Sequence, residues 1–144
     1  MKKFTLKKEF KLWYSMLSVL YVALVIFPHE VHAKLDERAL NDLKGVEPST
    51  RLEQVCDDAV MDKITNDKSN TFHPDRAVGE AEKPYEISGN TIEVKGGAFR
   101  SGDNWYNLEY TCTASADHLK VLSIRYKAGS LIPHSLWDKY YLWR

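Results

Sequence analysis

Cys56 and Cys112 constrain this chain most, because each sits on a different apolar periodicity. Leu52, Val55, Cys56, Ala59, Val60 and Ile64 recur at helical spacing, so Cys56 lies on the inward stripe of a helix. Thr50 and Glu53 read as a capping box at its start, with Pro48 just ahead, and Asn66-Asp67 with Ser69-Asn70 end it. Tyr106, Leu108, Tyr110 and Cys112 alternate with Asn107, Glu109 and Thr111, the period-two pattern of a strand with one buried face. Both thiols are therefore expected to point into one core, one from a helix and one from a sheet. The chain has no other cysteine.

The N-terminal segment, residues 1–33, decides whether that pair is oxidised. Lys2, Lys3, Lys7, Lys8 and Lys11 make a basic start, interrupted only by Glu9. An uncharged run follows from Leu12 to Phe27, then Pro28 and the Val31-His32-Ala33 triplet. Basic, apolar, then small is the order of a secretory signal peptide, and cleavage is expected after Ala33. The apolar run is shorter than the roughly 20 residues of a membrane span, so an uncleaved anchor is the lesser expectation. No cysteine follows it to carry a lipid. Export to an oxidising compartment makes a Cys56–Cys112 disulfide the default. The two lack the Cys-x-x-Cys spacing of a redox site, and two cysteines alone make a poor zinc site.

Charge excludes one class of partner. The full chain balances 20 Lys+Arg against 20 Asp+Glu. Loss of residues 1–33 removes five lysines and two glutamates, leaving 15 basic and 18 acidic residues, a net of −3. A slightly acidic mature chain has no electrostatic reason to seek nucleic acid or an anionic membrane. A membrane contact would come only through an uncleaved signal segment.

The remaining pattern gives a helical arm and a meander. Residues 34–48 form a short N-terminal helical arm, amphipathic from Lys34 to Lys44, with Gly45 just past its end. A single domain spans 49–144. Arg76 to Glu82 reads as a first strand, Ser88-Gly89-Asn90 as a turn, and Thr91–Val94 and Ala98–Arg100 as strands with a bulge at Gly96-Gly97. Ser101–Asn104 is a hairpin loop, and Trp105–Thr113 is the strongest strand. Leu119–Lys127 returns with Leu122, Ile124 and Tyr126 on one face, and Gly129-Ser130 breaks it. Pro133 and Ser135 open a short helical or turn segment over Leu136–Leu142. The expected fold is α+β: one main helix packed on an antiparallel β-meander of about four strands, with a helix-to-sheet disulfide.

Several short motifs occur in a fixed order. They are Arg51-Leu52-Glu53-Gln54-x-Cys56, Phe72-x-Pro74-Asp75-Arg76, Gly97-Ala98-Phe99-Arg100 and Trp105-Tyr106-x-Leu108-x-Tyr110-x-Cys112. Val121-Leu122-Ser123, Ile132-Pro133, Trp137 and Tyr140-x-Leu142-Trp143 complete the set. Taken together, the chain resembles the domain of unknown function 930 family of exported alphaproteobacterial proteins, over about residues 38–143. The resemblance implies an exported envelope protein with two paired cysteines. It brings no established activity and no catalytic residues.

The residues themselves offer little chemistry. His73, His118 and His134 fall in loops or turns without metal-ligand spacing, so neither a metal nor another cofactor is expected. His73 and Asp75 are the one candidate acid–base pair, the basis of an alternative reading as a hydrolase. Cys56 as a nucleophile is set aside because it lies on the buried stripe with a partner available. Asp57/Asp58 and Glu80/Glu82 read as solvated faces. Trp105, Trp137, Tyr140 and Trp143 are the candidate binding aromatics, able to stack on sugars or anchor a protein, or else to clamp the C-terminal segment over the core. The expectation is an exported, periplasmic or secreted, disulfide-stabilised module that binds an envelope glycan or protein and is not an enzyme. A purely structural envelope-maintenance protein with no small-molecule ligand is the other alternative.

Overall fold

The computed structural model describes residues 37–144, so the expected signal segment and its cleavage site lie outside the described residues. Helix α1 spans Glu37–Lys44 and helix α2 spans Pro48–Thr65. Five strands follow: β1 Pro74–Val78, β2 Glu86–Ser88, β3 Thr91–Ser101, β4 Asn104–Ala114 and β5 Val121–Leu131. Two single-turn 3-10 helices, His134–Leu136 and Asp138–Tyr140, close the chain. Among the described residues, no helix is long and apolar enough to cross a membrane.

Helix α2 starts earlier than the expected capping box. Glu47 is the cap: its carboxylate accepts the Ser49 and Thr50 backbone N–H groups at 3.0 and 3.2 Å, and Pro48 fills the first helical position. Proline suits that position because its missing N–H has no intrahelical partner there. Those bonds, with the Ser49 hydroxyl, hold the Glu47 carboxyl below its ordinary pKa. Leu52, Val55, Cys56, Val60 and Ile64 form the buried stripe, as the spacing predicts. Arg51 joins three elements: its guanidinium donates to the carbonyls of Leu43, Lys44 and Val46 and to Asp117 in the β4–β5 turn. At the other end of α2, the Tyr126 hydroxyl donates to Asp67 at 2.7 Å and tethers the helix terminus to β5.

The sheet order is β1-β3-β4-β5, all antiparallel, and β2 also pairs with β3. β1 lies opposite Ala98–Ser101 and β2 opposite Thr91–Glu93, so the two are one edge strand with an interruption. The expected strand over Arg76–Glu82 instead ends at Val78, because the chain leaves the sheet at a bulge in β3. That bulge falls between Val94 and Gly97, as Gly96-Gly97 predicts. Ala81 and Glu82 both donate their N–H to the Gly96 carbonyl. A Cβ on Gly96 would stand 2.5 Å from the Lys83 nitrogen, so only glycine lets the excursion lie this close.

β5 departs from expectation at both ends. It does not end at Gly129-Ser130 but runs to Leu131, and the expected interruption there is a register shift against β4 between Leu108 and Tyr106. Leu122 is 62% exposed, because a register shift between Thr113 and Ala114 turns Val121 inward instead.

The core is divided between the two faces of the sheet. On one face α2 packs against Ile92, Val94, Phe99, Leu108, Tyr110 and Cys112. Here Cys56 and Cys112 are bonded, with Cα atoms 5.9 Å apart. On the other face, at one end, the C-terminal segment folds back so that Ile132, Trp137 and Leu142 cover Trp105 and Ala98. At that end residues on both faces of the sheet are therefore buried, Phe99 on the helix side and Ala98 and Trp105 on the other.

Candidate functional site

The aromatic end of the second face is built by main-chain and indole bonds. Ile132 donates its N–H to the Trp105 carbonyl at 2.8 Å, and the Trp105 indole N–H donates to the Trp143 carbonyl at 2.9 Å. The Trp137 indole donates to the Ile132 carbonyl at 3.1 Å, and His134 stacks on its ring. Trp105 and Trp137 are buried, so two of the four candidate binding aromatics are core residues. Tyr140 is half-buried against the same cluster. Trp143 is 49% exposed and its neighbour Tyr141 84% exposed, the latter in a left-handed backbone conformation at φ 53°.

Two arginines lie beneath this end. Arg76 of β1 and Arg100 of β3 are paired across the strands. The Arg76 guanidinium sits 4.9 Å from the Trp143 ring centre, and that of Arg100 5.9 Å from the Trp105 ring centre. Both fall within cation–π reach. Arg100 is further held by Asp75, which accepts from Nε at 2.9 Å and Nη2 at 2.6 Å. The Arg76 Nε is buried with no hydrogen-bond partner. Trp143 thus carries a cation over its ring while about half of the residue stays open to solvent.

His73 and Asp75 are not brought together. Asp75 spends both oxygens on Arg100, which holds its carboxyl below the ordinary range. His73 is exposed, its backbone N–H donates to Ser101, and no hydrogen bond joins its ring to Asp75. His118 lies elsewhere, its two ring nitrogens at 2.8 Å from the Pro48 carbonyl and 3.1 Å from Asn90 Oδ1. Among the described residues, no group of three or more His, Cys, Asp or Glu is placed to hold a metal ion.

The helix-side face holds two carboxylates in unexpected settings: Asp57, expected on a solvated face, and Glu53, expected in a capping box. Asp57 is half-buried and accepts the Tyr110 hydroxyl at 2.7 Å; Glu53, one turn earlier, accepts Tyr85 at 3.2 Å. Burial pushes the Asp57 carboxyl up to about 7. Burial also raises the Tyr110 hydroxyl, and the Asp57 charge adds to the effect. Asp57 opens beside a cleft of about 580 Å³ between the helices and the β1 edge, walled by Leu43, Val46, Met61 and Ala77. Its position directly after Cys56, at the flank of the apolar stripe, was the only signal of this in the sequence.

A stability–pH relation follows. Between the ordinary aspartate value of 3.8 and about 7, the folded chain holds a proton on Asp57 that the unfolded chain has released. Stability therefore falls as pH rises through that window. Asp57→Asn keeps an acceptor for Tyr110 and is expected to flatten the slope. Thermal midpoints of both proteins from pH 4.5 to 7.5 check this, and parallel slopes would remove Asp57 as the cause.

These features define a small disulfide-bonded α+β domain with polar and aromatic chemistry on opposite faces of one sheet. The chain belongs to the family described as Domain of Unknown Function (DUF930), whose model matches residues 43–142. No curated protein and no solved structure matches it.

Proposed function

We propose that the chain is exported, cleaved after Ala33, and works in the bacterial envelope as a non-catalytic binding module. The observation that carries the binding reading is the exposure of Trp143 and Tyr141, beside Arg76, on a segment whose Trp137 is buried and whose Tyr140 is half-buried. A purely packing role needs no aromatic in solvent, whereas stacking on a sugar ring or a partner side chain does. The helix-to-sheet disulfide supports export, since such bonds persist in oxidising compartments. An envelope glycan is the partner we favour, with a protein as the alternative.

Soluble fragments from a digest of bacterial cell wall serve as the probe. They are expected to shift the tryptophan fluorescence of the envelope-recovered protein saturably, and Trp143→Ala is expected to weaken the apparent affinity at least tenfold. The Trp105 indole bond is to the Trp143 main chain, so this variant keeps it. No saturable response, or one unchanged in the variant, favours a structural envelope protein. Intact mass of the same material is expected to begin at Lys34, with both cysteines alkylated only after reduction.

A further inference from the structure

We propose that the free edge of β5 is a docking strand for an extended segment of a partner protein carrying two acidic residues spaced two apart. β5 is the terminal strand of the sheet order, and among the described residues nothing pairs with its outer side. From Ser123 to Ala128 it runs in unbroken register with Thr113 to Leu108 of β4. The opposite edge is different, because it is split into β1 and β2 by the excursion at Gly96. A regular, unpaired edge offers a row of N–H and C=O groups to an added strand.

Side chains decide which strand is accepted. Arg125 and Lys127 are exposed and lie on the face away from α2, opposite Thr111 and Glu109. No acidic residue occurs from His118 to Trp137, so this edge is basic in a mature chain of net acidic charge. A second copy pairing through the same strand brings no counter-charge to these cations. Pairing centred on Tyr126 sets Arg125 against Lys127, and like charges directly opposite are unfavourable. An added strand with acids at positions i and i+2 places both carboxylates opposite the two cations on one face. The Lys127–Glu109 pair, 3.3 Å apart, is exposed on both sides and yields easily to such a competitor.

The test uses the full chain expressed in a bacterial host and recovered from its envelope. The probe is a synthetic ten-residue peptide alternating Glu with Val and Thr; the control replaces each Glu with Lys. Amide hydrogen exchange of β5 is followed by NMR. The acidic peptide is expected to slow exchange of the β5 amides that face away from β4 by at least tenfold, and the basic peptide to leave them unchanged. Arg125→Gln with Lys127→Gln is expected to weaken acidic-peptide binding at least tenfold. No slowing, equal slowing by both peptides, or undiminished binding in the variant each overturns the proposal. Slowing in the free protein also overturns it: concentration-dependent slowing gives the edge to a second copy, and concentration-independent slowing to the chain itself.

Discussion

Replacing Cys56 and Cys112 together by alanine is expected to lower the unfolding free energy by about 4 kcal/mol, the chain-entropy value for a loop of this span. The bridged residues are 56 apart in sequence, and both are fully buried. Small domains are stable by only about 5–15 kcal/mol, so the loss removes a large share of the total. The described domain has little surplus core to compensate, since α2 contributes one buried stripe and the sheet one continuous face against it. Urea unfolding of the oxidised wild type and the double variant measures the difference directly. A decrease below about 1 kcal/mol would show that the helix–sheet packing holds the two layers together without the bond.

Trp105→Ala is expected to cost about 3–5 kcal/mol, the usual range for deleting a large buried aromatic. Its loss empties the centre of the second core and leaves the Trp143 carbonyl without its indole donor. The expected signature is local as well as global. Ile132, Trp137 and Leu142 lose the surface they cover, so the C-terminal segment is expected to detach before the α2 face unfolds. Trypsin is then expected to cut at Lys139, which is exposed to solvent but held in a 3-10 turn while Trp105 is present. If Lys139 stays resistant at a temperature where the variant is still folded, the segment is secured by something other than Trp105.

The main helix and β4 were legible because each obeys one period over many residues. Alternation from Tyr106 to Cys112 and the stripe from Leu52 to Ile64 both fixed which face each cysteine takes. Trp105 was harder to place, because it lies out of phase with its own strand's buried face. Its burial depends on a segment some 30 residues later folding over the second face, and local pattern carries no record of that. The same limit explains β5: a register shift against β4 moved Leu122 outward, which periodicity within β5 alone cannot reveal. The cap at Glu47 was missed because Thr50 and Glu53 also fit a capping box, and only the helix start separates the two. Asp57 was missed for a related reason, since its burial comes from Tyr110 across the layer rather than from its neighbours in sequence.

The Cys56–Cys112 bond also determines how the molecule carries tension. A force applied between the two ends of the described chain enters through α1 and the first half of α2, crosses the bond into β4, and leaves through β5. The stretch between the two cysteines, which contains β1, β2 and β3, is bypassed by a covalent shortcut and cannot be drawn out. Stretched from its termini, the domain has a fixed, short maximum extension that reduction alone lengthens.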